Sequence, residues 1–364
     1  MRSYDAMEQY WIWLSSVPGI GVKKFYRLIG LYEDARTVWD NVGDAGMKFL
    51  GAKALEELRK ARDEKYFISL FSRMEQLGIE AVTRLSDDYP PLLSEIYDPP
   101  ATLYVRGKAD LCSEKMFSIV GSRRCSRDGQ RAAREIAEGL ALHGVTVVSG
   151  MARGIDTCAH EGALRGEGPT IAVLGCGVDI PYPPENERLM AQIIDMGGAV
   201  ISEYMPGTPP LAGHFPARNR IISGLSQGTM LVEGAKGSGA MITIDFAAEQ
   251  GRDIFAVPGG IYSSQSAMPN QLIVGGAYPV ISPWEVLEHY RWGARPGAAE
   301  EKPAEAELTE EEKRIVDPLK IEQLSFDELV AQTGIAPAKL NSYLTILELR
   351  GIIVKAPGGL YRAY

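Results

Sequence analysis

From Phe117 to Tyr290, short apolar runs alternate with longer stretches of helical period, and this alternation governs how the chain reads. The runs Phe117–Val120, Val145–Ser149, Thr170–Leu174, Ala199–Ser202, Met230–Glu233 and Ile254–Val257 are rich in β-branched residues. That is the composition of strands buried on both faces. Between them lie amphipathic stretches such as Ser238 to Gln250 and Arg131 to His143. In the latter, Ala132, Ile136, Leu140 and His143 share one face. Strand–helix alternation predicts a mostly parallel sheet with crossover helices, a Rossmann-like α/β core over 117–290.

The flanks follow other patterns. Residues 1–80 read as a helical domain of SAM or helix-hairpin-helix type. Its signature is the turn Val17-Pro18-Gly19-Ile20-Gly21-Val22 between two amphipathic stretches. Leu50-Gly51-Ala52-Lys53 is a weaker second copy. Such a turn either presents backbone N–H groups to a phosphate or simply packs two helices. Residues 81–116 read as a connector, broken at Tyr89-Pro90-Pro91 and Asp98-Pro99-Pro100, with one short strand at Thr102–Val105. Residues 291–312, dominated by Pro, Ala and Glu, read as a linker. Residues 313–364 predict a winged-helix-like domain. A helix starts at Ser325 and ends at Gly334, a second runs from Ala338 to Arg350, and a hairpin turns at Ala356-Pro357-Gly358-Gly359. The second helix carries only Lys339 and Arg350 as basic residues, which favours protein contact or packing over groove reading.

A chain of 364 residues has room for two or three domains. No apolar run approaches the roughly 20 residues that span a bilayer, and Met1 to Asp5 does not read as a signal peptide. Cys112, Cys125, Cys158 and Cys176 show no paired spacing, so the expected setting is a reducing cytoplasm, without zinc or disulfides. The four histidines have no ligand spacing either, and no metal or cofactor is expected. The net charge of −9 disfavours general adhesion to nucleic acid. Phosphate contacts, however, act within a Debye length of roughly 8–10 Å, so a local basic edge remains compatible with an acidic protein.

Candidate chemistry gathers at one edge. Arg123, Arg124, Arg127, Arg153, Arg218, Arg220 and Lys236 all fall in loops expected to follow strands. In an open α/β sheet those loops converge where ligands bind. Gly121-Ser122-Arg123-Arg124 suits a tight turn with phosphate ligands, or else two solvated charges. Ser149-Gly150 with Arg153 repeats the idea after the next strand. Asp156 there reads as a helix cap, and its neighbour His160 as a structural hydrogen bonder. Phe215 with Arg218-Asn219-Arg220 offers a stacking face and two guanidinium groups for phosphate or base. The alternative is an ion-paired interface with Glu203 or Glu233. Lys236, Ser238, Gly239 and Thr243 suit a phosphate at a helix mouth. Dinucleotide, P-loop and serine-hydrolase signatures are missing, and no catalytic group stands out. Pro258-Gly259-Gly260 is similar to a turn of lysine-decarboxylase-like nucleotide-handling proteins, but the Gly-Thr and Glu that follow it there are absent.

In this order the segments resemble the DNA-processing protein A family (DprA, also called Smf). The resemblance is carried by Gly121–Ser126 with Gly129, Ser149–His160, Ala172–Gly177, Tyr182-Pro183 with Asn186, Ser202–Tyr204, Phe215–Ile222, Ser238–Thr243 and Ala256–Gly259. Met268-Pro269-Asn270 departs from the family's Gly-x-Asn. The resemblance implies a homodimeric, non-enzymatic binder of single-stranded DNA. It further implies that the protein brings RecA recombinase to incoming DNA coated with single-strand binding protein during natural transformation. The competing expectation is a nucleotide-binding or nucleotide-hydrolysing enzyme on the same scaffold.

Overall fold

The six apolar runs become strands because each is flanked by residues that cannot continue it and can bury both faces at once. A computed structural model describes residues 2–295, 308–349, 352–356 and 359–363. The chain divides into two compact units, Met1–Gly293 and Ala294–Tyr364. The first holds a nine-stranded sheet: β1 Glu80–Thr83, β2 Thr102–Gly107, β3 Met116–Val120, β4 Thr146–Ser149, β5 Thr170–Val173, β6 Ala199–Ser202, β7 Gly228–Leu231, β8 Asp253–Ala256 and β9 Tyr278–Pro279. Their spatial order is β1-β2-β6-β5-β4-β3-β7-β8-β9. Every pair from β6 across to β9 is parallel. The chain steps outward from β3 to β6 on one side, then resumes at β7 on the other. The β3/β7 boundary is therefore the topological switch point, where the loops on either side diverge and leave a crevice.

Successive strand residues alternate between two cores. Val120, Val148 and Leu231 pack with Ile221 and Ile222 of helix His214–Gly224 and with Ile244 of helix Ala240–Glu249. Ile119, Val147 and Met230 pack with Ile136 and Leu140 of helix Arg127–Ala141 and with Ile155 of helix Ile155–Arg165. Ser118, buried on β3, is bonded: its Oγ donates to the Ile222 carbonyl at 2.8 Å. Helix Arg127–Ala141 starts earlier than its apolar period suggests because Ser126 caps it, its Oγ accepting from Gly129 N at 3.0 Å.

The expected connector is part of the sheet. β1 and β2 pair antiparallel, with Glu80 opposite Val105, and β2 continues antiparallel onto β6. The proline pairs interrupt only the excursion between the strands, which leaves 80–83 and 102–107 free to pair. The N-terminal helices Ala6–Ser16 and Val22–Tyr32 form the expected hairpin around Gly19, whose φ of +84° suits glycine. Lys24 Nζ donates to the Gly19 and Leu50 carbonyls at 3.1 and 3.0 Å, tying the two glycine turns together. Trp11 Nε1 donates to the Ala101 carbonyl at 2.7 Å and couples the helices to the segment entering β2.

In the second unit the order is helix Glu310–Leu319, strand Leu324–Ser325, helix Phe326–Thr333, helix Pro337–Leu349 and the antiparallel strands Ile353–Ala356 and Leu360–Ala363. This is a winged-helix arrangement. Part of the expected linker, 308–312, belongs to it: Thr309 caps the first helix through Glu312. Residues 296–307 of that linker, Arg350, and Pro357 and Gly358 of the hairpin turn lie outside the described residues. Lys339 is bound to Glu311 at 2.7 Å, so this basic residue of the second helix is already neutralised. Among the described residues no helix is long and apolar enough to cross a membrane, and no cluster of side chains is placed to hold a metal.

Candidate nucleic-acid interface

At the switch point the loop after β3 and the loop after β7 are stitched to each other. Ser122 N donates to the Glu233 carbonyl at 2.8 Å. The Glu233 carboxylate accepts from Ser126 N at 2.8 Å and Ser126 Oγ at 2.6 Å. Glu233 thus holds the loops together and makes no ion pair with a described arginine. Gly154, in the loop after β4, has φ +80°, and a Cβ on it would lie 2.4 Å from the Ser122 carbonyl oxygen. Only glycine lets the three loops close on one another.

Between them opens a cleft of about 780 Å³. Arg123, Arg124 and Lys236 are exposed on its rim and make no ion pair with any described residue. Gly121 and Ser122 form the turn beneath them. Ser238, Gly239 and Thr243 lie at the mouth of helix Ala240–Glu249, whose N-cap Gly239 provides no side-chain acceptor. Its first-turn N–H groups are already bonded locally: Ala240 N donates to Ser238 Oγ at 3.4 Å, Met241 N to the Ser238 carbonyl at 3.0 Å and Ile242 N to the Gly239 carbonyl at 3.3 Å, so the expected phosphate mouth offers no free donor from these three. On the opposite wall Phe215 meets Tyr182, ring centroids 5.1 Å apart, and Asn219 accepts from Arg218 Nε at 3.3 Å.

Arg218 forms the floor. It is 3% exposed, and its Nη1 donates to the Gly150 carbonyl at 2.7 Å and to the Val173 carbonyl. A Cβ at Gly150 would lie 2.8 Å from Arg218 Nη2 and 2.7 Å from Asp156 Oδ2, so glycine makes room for this buried pair. Burial raises the Asp156 pKa to about 6, against the pull of Arg218. Burial likewise lowers that of Arg218 to about 10, against the pull of Asp156. Asp156 is not the expected cap, because Gly154 holds the cap position. Its Oδ2 accepts from Ala152 N at 3.3 Å. His160 is fully buried, with Nδ1 2.8 Å from Thr170 Oγ1. Burial drives its pKa down to about 3, so it is neutral and structural, as expected.

Three sequence-based expectations are corrected. Ser149 is fully buried and donates to the Ile119 carbonyl at 2.6 Å, so it supports the sheet and cannot meet a ligand. Arg220 is 3% exposed, and its two terminal nitrogens donate to the two Glu203 oxygens at 2.7 Å each. With Asp98 Oδ1 3.2 Å from its Nε, it is an internal ion-pair residue and not a phosphate contact. Arg153 is exposed but paired with Glu185. It lines a small pocket beside the main cleft, together with Gly150. Tyr182, Pro210 and Gln265 also line the main cleft, and no charge or spacing marks them as ligands in the sequence. Tyr182 was visible only as half of Tyr-Pro, and nothing local links it to Phe215. Asn270, retained where Met268-Pro269 departs from Gly-x-Asn, bonds Gly259 twice: its Oδ1 accepts from Gly259 N at 3.1 Å and its Nδ2 donates to the Gly259 carbonyl at 2.9 Å.

The geometry agrees with comparisons to known proteins. Residues 80–291 match the family model described as DNA recombination-mediator protein A, and residues 299–359 match the DprA winged helix domain. Protein Smf of Escherichia coli is 39% identical over 294 residues, 79% of each chain. The DNA processing protein DprA of Streptococcus pneumoniae is 45% identical over 208 residues, 57% of this chain and 73% of its own. The X-ray structure of the pneumococcal protein superposes with a TM-score of 0.66 at 35% identity, covering 79% of this chain and 98% of that one. The DprA of Helicobacter pylori, a protein described as having a single-stranded DNA binding mode, superposes with a TM-score of 0.53 at 27% identity, over 58% and 95% of the two chains. An open, mostly parallel sheet with a basic cleft at its switch point, a winged-helix unit and these matches together place the chain in the DNA-processing protein A (DprA/Smf) family.

Proposed function

We propose that the switch-point cleft binds single-stranded DNA by its sugar–phosphate chain, and that the protein works without catalysis as a mediator. The observation that carries this reading is the trio Arg123, Arg124 and Lys236, exposed on one rim and unpaired among the described residues. The Tyr182–Phe215 pair adds a face on which any base can stack, so sequence should matter little. The resemblance supports a cytoplasmic protein that delivers the strand, displaced from single-strand binding protein, to RecA recombinase in natural transformation. Homodimerisation belongs to the same reading. Val274 and Ile281, 89% and 76% exposed on either side of edge strand β9, offer apolar surface for a second copy. The test is a salt titration of oligonucleotide affinity. Single strands are expected to bind with a steep inverse salt dependence and duplex of the same length at least about tenfold more weakly. Equal affinity for both forms, or no binding at low salt, would refute the reading.

Asp156 favours a second reading, a nucleotide-hydrolysing enzyme, because a buried carboxyl with a pKa of about 6 beside a phosphate cleft resembles a general base. Its oxygen is nonetheless turned to Ala152 N and Arg218, and we expect no turnover of mononucleotides by pure protein. Turnover abolished by Asp156→Asn would reverse the ranking. The same group predicts a pH dependence. Its folded pKa is raised above the ordinary value of 3.8, so its stabilising contribution is complete below about pH 4 and lost as pH rises through about 6. Protonation also leaves Arg218 and Arg123 unopposed at the cleft. Affinity for single strands is expected to rise about three- to tenfold between pH 7.5 and 5.5, and Asp156→Asn to flatten that profile at the high-affinity level.

A further inference from the structure

A second cleft, of about 580 Å³, lies between the N-terminal hairpin turn and the loop after β6. One wall is the turn around Gly19 and Gly21, and the other runs from Tyr204 to Pro209. The two clefts share a thin wall. Along one segment Pro209, Leu211 and His214 line the hairpin cleft, while Pro210, Ala212 and Phe215 line the rim cleft. Each side carries an aromatic pair. Opposite Tyr182–Phe215 stands Tyr204–His214, stacked with centroids 3.9 Å apart and planes within 13°.

The hairpin cleft has its own means of holding a phosphate. Gly21 caps helix Val22–Tyr32 with no side chain, and Val22, at the helix start, lines the cleft with no side-chain acceptor capping it. Arg73 lines it with a side chain 53% exposed, although its guanidinium also reaches Asp179 at 3.0 Å. The acid in the wall, Glu203, is already neutralised by Arg220. Thr102, also lining the cleft, is 2% exposed, and its hydroxyl has no hydrogen-bond partner among the described residues. That oxygen is buried beneath the cleft surface and out of a strand's reach, so the cleft's binding groups are Arg73, the hairpin turn and the Tyr204–His214 stack.

We propose that the hairpin cleft is a second subsite for the same single strand. The strand leaves the rim cleft, crosses the Pro209–Leu211 ridge and lays a base against the Tyr204–His214 stack, with a phosphate toward Arg73 and the hairpin turn. This inference rests on the single-strand reading of the rim cleft. It gives the N-terminal helices a direct part in binding and lengthens the site beyond what the sheet alone contacts.

The test compares oligothymidylates dT6 and dT20 by fluorescence anisotropy at low salt on the full chain. The double variant Tyr204→Ala/His214→Ala is expected to weaken dT20 by about tenfold and to leave dT6 within about twofold. Arg73→Gln, at an exposed position that does not threaten the fold, should weaken dT20 by about threefold and spare dT6. If a thermal melt shows the double variant unfolded, Arg73→Gln decides alone. Wild-type binding of both lengths with dT20 affinity unmoved by the folded variants would overturn the second subsite while leaving the rim cleft standing, as would equal losses on both lengths. Failure of the wild type to bind either oligonucleotide would remove the single-strand reading and the subsite with it.

Discussion

Replacing Arg220 with alanine is expected to destabilise the fold by about 3–5 kcal/mol, the largest loss from any single change at the site. The guanidinium is 4% exposed at its side chain and is shared between Glu203 and Asp98. Its Nη1 also donates to the Ala217 carbonyl at 2.9 Å. Without it, Glu203, only 14% exposed at its side chain, is left charged beside an apolar wall. Arg220→Lys should recover little, since an ammonium cannot satisfy two carboxylate oxygens in the plane they present. Chemical denaturation reads the effect directly. At a temperature where the variant is still folded, its affinity for single strands should stay within about threefold of wild type. Lost binding with unchanged stability would return Arg220 to the ligand-contacting set.

The combined change Arg123→Ala/Arg124→Ala/Lys236→Ala should have the opposite signature. These side chains are exposed and make no ion pair with any described residue, so the melting temperature should hardly move. Affinity for single strands should fall by about a hundred- to a thousandfold near physiological salt. The slope of log affinity against log salt should become shallower by about 2, since each phosphate contact on a single strand contributes about 0.7. A slope equal to that of wild type would mean that the strand is held elsewhere.

Much of this architecture was legible in the residues, and what was not has specific causes. The buried parallel strands were visible because their apolar runs are bounded by breakers and too short for helices. β2 was legible as the short run Thr102–Val105, but β1 and the pairing of both with the sheet were not, because prolines crowd the stretch between them and proline says where a chain turns, not whether the runs on each side pair. β9 is two residues long and contains a proline, so it has no period to detect. The rim cations followed from their position after strands. Arg218 and Arg220 could not be separated as a spaced pair in a loop. The structure puts both on helix His214–Gly224, where residues two apart point to different sides. One therefore reaches Gly150 under the cleft and the other reaches Glu203. The stacking partner of Phe215 and the burial of Asp156 depend on contacts between distant segments, which no local pattern encodes.

The stitching of the β3 and β7 loops through Glu233 has a consequence for the protein before it is finished. Arg123 and Arg124 are synthesised long before Lys236. The unfolded chain carries a net charge of −9 and does not hold its rim cations together, so it should bind nucleic acid weakly. Only when β7 docks beside β3 do the three rim charges assemble, so the proposed grip on DNA would arrive with that strand, and affinity would serve as a gauge of native structure.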